Sequence, residues 1–160
     1  MSHIEPTLWL HIVASIAALI SGFAVLRATK GTSRHRLLGF IYVTSMYTLC
    51  IASFFVHRFS GHFSIFHYVS IQNILLITAG LAMPRYFRRR SFDWQLWHLR
   101  LMIYSYISLV GTGLLQFFNY LPLSEAPRFI FFFAIPLAAS WVYLARWSKP
   151  LRKNYRQTSS

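Results

Sequence analysis

Apolar residues in this chain come in five long blocks, Leu8 to Leu26, Leu37 to Val56, Ile65 to Met83, Trp97 to Phe118 and Phe129 to Trp147. None of the blocks carries the charged face that a helix of a soluble bundle keeps towards water. Each is about the length that crosses a hydrocarbon layer of roughly 30 Å as a helix. The pattern therefore predicts an all-α transmembrane bundle of five spans, one domain over residues 1–148 followed by a basic polar tail over 149–160. Pro84 is expected to stop the third span, and Pro136 to bend the fifth.

Within the blocks, polar residues keep helical spacing. His11, Ser15, Ala18 and Gly22 form a small face on the first span, suited to close packing against a neighbouring helix. On the fourth, His98, Met102, Ser105, Leu109, Thr112 and Gln116 recur every three or four residues, a stripe expected to look into the bundle, with Tyr106 beside it. Tyr42, Ser45 and Thr48 on the second span and Ser70 and Asn73 on the third are candidates to meet that stripe. Ordinary hydrogen bonding between helices explains it equally well; its functional version is a polar cavity for a quinone, a small solute or protons.

Charge turns the spans into a topology. Of 16 Lys and Arg residues, 14 lie in the connectors after spans one and three, at Arg100, or from Arg146 onward, against Arg58 and Arg128 elsewhere. The positive-inside rule then puts the N-terminus outside and the C-terminus in the cytoplasm of a cell inner membrane. The net charge of +13 is taken up by anionic lipid headgroups on the cytoplasmic side, with nothing left to suggest nucleic acid. Trp9, Trp94, Trp97 and Trp147 fall near expected interfaces, whereas Trp141 lies deeper and reads as a packing residue. Met1 to Thr7 lacks a basic n-region, which favours an uncleaved first span, and the single Cys50 excludes an internal disulfide framework. A second copy of the chain or another membrane protein is a further partner class, and so is a role as transporter protomer or non-catalytic subunit.

The same topology sorts the histidines. His11, His57, His62 and His67 fall at the outer side, and His35 and His98 at the inner side. Imidazoles gathered at hairpin ends can ligate zinc or copper, with Glu5 or Glu125 as an oxygen donor, although the spacing matches no known metal motif. His11 and His67, each a little inside a span, are the strongest ligand candidates, with His57 completing the set and His62 a loop residue. The plain alternative is amphipathic side chains resting at an interface. Haem b is the other reading: His11 with His67 on one side and His35 with His98 on the other would make a two-haem electron path. Against it, His35 falls in an expected turn and no pair lies deep. Asp93 either orients His98 or pairs with Arg89 or Arg90.

Three segments, Gly31-Thr32-Ser33-Arg34-His35-Arg36, Phe63-Ser64-Ile65-Phe66-His67 and His98-Leu99-Arg100-Leu101-Met102-Ile103-Tyr104-Ser105-Tyr106, resemble the hallmark segments of a family of predicted multi-pass bacterial membrane proteins that carries only a domain-of-unknown-function label. The likeness covers about residues 8–120 and is less clear in the fifth span. It implies weight on His35, Arg36, Gly39, Tyr42, His67, His98, Met102, Ser105 and Tyr106, and implies no reaction. On this basis His35, His98, Met102, Ser105 and Tyr106 are candidate cofactor-binding residues.

Overall fold

The computed structural model describes residues 6–56, 65–87, 93–117, 127, 130–142 and 144. Its regular elements are helices: α1 Pro6–Arg27, α2 Ser33–Val56, α3 Ile65–Tyr86, α4 Trp94–Phe117 and α5 Ile130–Val142. Among the described residues there is no strand. The expected tail at 149–160 lies outside them.

Local chemistry explains the ends. Lys30 donates from Nζ to the Val25 and Leu26 carbonyls at 3.1 and 2.9 Å, capping the last turn of α1. Partial burial lowers the pKa of this ammonium. Gly31 takes the left-handed φ of 81° that the following turn needs. Thr32 then acts as N-cap, its Oγ1 accepting from the His35 N–H at 3.2 Å while its carbonyl accepts from the Arg36 N–H at 3.1 Å. So α2 begins at Ser33 rather than Leu37, and His35 sits in a helix and not in the turn expected for it. The hydrogen bonding of the cap, not hydrophobicity, sets that boundary.

The third span also runs past its expected stop, since Pro84 lies inside α3 and the Phe87 N–H still reaches the Met83 carbonyl at 3.1 Å. At the head of α4, the Asp93 carbonyl accepts from the N–H groups of Leu96 and Trp97, both at 3.1 Å. The fifth helix opens as a π turn over Ile130–Ala134.

Burial is arranged as a membrane requires. Many large apolar side chains point outward, Ile20 and Phe40 both 67% exposed, while the interior takes Ala18, Ser105 and Ser108 at 0% along with Met46 and Ile77. Water would not tolerate that surface, whereas lipid does, and small residues let helix backbones approach. Hydroxyls close on their own helices, for example Ser21 onto the Ala17 carbonyl at 2.6 Å and Thr112 onto the Ser108 carbonyl at 2.7 Å. Among the described residues three helices are long and apolar enough to span, Pro6–Arg27, Ser33–Phe55 and Phe66–Tyr86. At 24 residues α4 has the length but carries Gln95, His98 and Arg100 in its first two turns, and α5 has the shorter apolar stretch Ile130–Val142.

The chain divides into two compact units, Met1–Ile77 and Thr78–Ser160, with the division inside α3. In the first, the small face of α1, now Ala14, Ala18, Ser21 and Gly22, packs with α2, whose buried residues include Tyr42, Met46 and Cys50. In the second, α4 packs with α5, where Phe133 and Leu144 are buried; Trp141, expected to pack, is instead 62% exposed because it lies off that face.

The closest approach in the second unit is at Gly111, where an added Cβ would stand 2.6 Å from the Phe132 carbonyl oxygen and 3.3 Å from the Phe133 ring. Backbone cannot yield as a side-chain tip does. Gly111→Ala should therefore destabilise the protein by about 1–3 kcal/mol, as overpacking does, whereas Gly113→Ala, with nothing within 4 Å, should leave it unchanged or gain up to about 1 kcal/mol of helix propensity. Thermal unfolding of the two variants in detergent checks the contrast.

Candidate functional site

His11 and His67 come to one end of the first unit. His11, in the second turn of α1, faces the Leu49 backbone of α2, and its Nδ1 is buried without a hydrogen bond among the described residues. Thr7 Oγ1, one turn earlier on the same face, is in the same condition. In the first turn of α3, His67 is 4% exposed and its ring lies 5.4 Å from that of Phe54 at a tilt of 59°. Leu49 and Phe54 are five residues apart, about 7.5 Å along α2. Both imidazoles are thus held beside the C-terminal third of α2. Below them Ser53 and Ser70 share a hydrogen bond of 2.8 Å across α2 and α3, and Asn73 is 4% exposed.

His57, His62, Glu5 and Glu125 lie outside the described residues. Among the described residues no three His, Cys, Asp or Glu side chains come together. Cys50, buried between these positions, is a free thiol.

The second unit builds a different arrangement around His98. In an α-helix the carbonyl of residue 80 accepts from the N–H of residue 84, but Pro84 has none. The oxygen so released on Gly80 is taken by His98 Nδ1 at 2.7 Å. A carbonyl can only accept, so Nδ1 carries the proton, and it is Nε2 that offers a lone pair when the ring is neutral. At Gly80 an added Cβ would stand 2.8 Å from Met102 Cε, so the methionine tip would have to move aside. Met102, predicted beside His98 on the stripe, is thus the residue that packs on Gly80. The Gly80 carbonyl orients His98; Arg89 and Arg90, the other partners expected for Asp93, lie outside the described residues.

Along the rest of the stripe, Ser105 is fully buried and closes onto the Met102 carbonyl at 2.8 Å, Leu109 is buried, and Tyr106 and Thr112 are half-buried. Gln116 is exposed, contrary to expectation, because the buried face ends near Gly111 where α5 arrives. Ser108, fully buried, belongs to the face although it stands beside the stripe through Ser105 and Leu109; a helix face is wider than one stripe. Tyr104, off the stripe, has a hydroxyl that is buried without a hydrogen bond among the described residues. On α2, Tyr42 is 2% exposed and Thr48 closes onto the Thr44 carbonyl of its own helix at 2.9 Å. His35 is half-buried.

The family model described as "Predicted membrane protein (DUF2306)" matches residues 8–146. The chain belongs to this family, a domain of unknown function. The match runs past residue 120 and takes in α5, beyond the reach of the sequence likeness. Membership agrees with the outward apolar surface and makes this a membrane protein. No curated protein and no solved structure matches the chain.

The Pro84 and His98 geometry is testable as a coupled pair. His98→Ala leaves the Gly80 carbonyl buried without its donor and should destabilise the protein by about 1–3 kcal/mol. Adding Pro84→Ala restores a backbone N–H at residue 84, so the double variant should recover most of that loss. A double-mutant cycle on unfolding in detergent measures the coupling.

Proposed function

We propose that this is a multi-pass protein of the cell inner membrane that holds a transition metal, zinc or copper, through histidines at the end where α1 and α3 begin. The observation that carries the reading is the placing of two imidazoles from different helices beside the same third of α2, His67 buried and His11 half-buried with an Nδ1 that is itself buried and makes no hydrogen bond among the described residues. Ionisable groups placed inside apolar spans usually have a ligand or partner, and neutral imidazole nitrogen suits both metals. His11 and His67 are the first two ligands. His57, which follows Val56 in sequence, supplies the third.

Five spans with the N-terminus outside put this site at the outer face, and the distribution of 14 basic residues against 2 supports that orientation. The cytoplasmic face then meets anionic headgroups through Lys30, Arg34, Arg36 and their neighbours. Reporter fusions check the topology: a C-terminal fusion should be active only with a reporter that works in the cytoplasm, and a fusion at residue 60 only with one that works outside.

Metal analysis of protein purified in detergent tests the site itself. The expected result is about one zinc or copper per chain, falling at least tenfold in His11→Ala and in His67→Ala while both variants stay monodisperse. Full-length protein with neither metal after exposure to both overturns the reading.

A further inference from the structure

His98 is built as a ligand, and its site is separate from the one just proposed. From the geometry we infer that His98 Nε2 is the protein ligand to a haem iron, in a site formed by the end of α3 and the start of α4. Three observations lead there.

First, the ring is fixed in one tautomer. Pro84 withholds the donor that would otherwise occupy the Gly80 carbonyl, and Nδ1–H fills it at 2.7 Å. A second-shell carbonyl on one ring nitrogen orients the ring and raises the basicity of the other, the arrangement found behind metal-bound histidines. Met102 packs on Gly80 beside this contact, its Cε 2.8 Å from where a Cβ would stand.

Second, the donor set is a single imidazole. Among the described residues of this unit, Asp93 and His98 are the only His, Cys, Asp or Glu side chains, and Asp93 caps α4. A zinc or copper ion takes three or four ligands from protein, whereas a porphyrin brings four nitrogens of its own and needs one axial base.

Third, the same end carries cations suited to the two carboxylates of such a macrocycle. Arg85 follows Pro84 directly, and Arg100 stands two residues after His98 with its guanidinium 5.4 Å over the Trp97 ring. Beside their contact with headgroups, such cations favour an anionic ligand over a neutral one.

The test is titration of the full-length protein in lipid nanodiscs with ferric protoporphyrin IX, followed by visible absorption and reductive potentiometry. Wild type should bind one equivalent with a sharp Soret band. His98→Asn is the decisive variant, because its amide can still donate to the Gly80 carbonyl and keep the helices in place; it should bind at least tenfold more weakly while retaining the wild-type helical content. Pro84→Ala returns an N–H to Gly80, draws the carbonyl away from Nδ1 and should keep the haem but raise its reduction potential. His11→Ala and His67→Ala should bind haem as wild type does, which separates this site from the outer one. Wild type without saturable binding, or His98→Asn binding as tightly as wild type, overturns the inference; an unchanged potential in Pro84→Ala overturns the positioning role of the carbonyl.

Discussion

A carbonyl oxygen within a hydrocarbon layer has no water to accept from, and an unsatisfied one costs several kcal/mol. Most of the local features of this chain answer that constraint. Serine and threonine hydroxyls close onto the carbonyls of their own helices, Lys30 reaches back over the end of α1, and Thr32 opens α2. The two prolines inside helices raise the problem most sharply, since each withdraws the donor from the carbonyl four residues before it. At Pro84 the answer is a side chain from the next helix. At Pro136 the affected carbonyl is that of Phe132, within the turn that widens to a π-helix and at the point where Gly111 admits the backbone of α5.

The interior follows from the same solvent. In water the large apolar residues would be drawn inward, but lipid gives them no reason to leave the surface, so tight packing goes to alanine, serine and glycine. Ala18, Ser105 and Ser108 are accordingly fully buried, along with Met46 and Ile77, while Phe40 is not. The polar stripe of α4 is likewise mainly a packing surface. Its hydroxyls are occupied by their own helix, which leaves His98 as the member with chemistry to offer.

Helices and their approximate extents were legible because runs such as Leu8 to Leu26 carry the span signal in composition alone. Boundaries were less so: hydrophobicity begins at Leu37, yet Thr32 starts the helix through a hydrogen bond that composition does not record. Pro84 read as a stop because the remedy lies 18 residues away from Gly80, at His98, and no local rule connects them. A proline four residues after a glycine, with a histidine early in the following helix, is the signal that would have found the pair. His11 and His67 come to the same third of α2, which their depth in the sequence suggested, while the connector expected to complete them falls outside the described residues.

The account depends on one proton. If Pro84 and Gly80 exist in this arrangement to orient His98, the imidazole must be protonated on Nδ1, the less common neutral tautomer, whatever its Nε2 then binds. Nitrogen-15 NMR of histidine-labelled protein in nanodiscs at neutral pH, with His98 assigned by its absence from His98→Asn, reads this directly. The account predicts a pyrrole-type Nδ1 and a pyridine-type or ligand-bound Nε2 for His98. A proton found on Nε2 with a bare Nδ1 would contradict it.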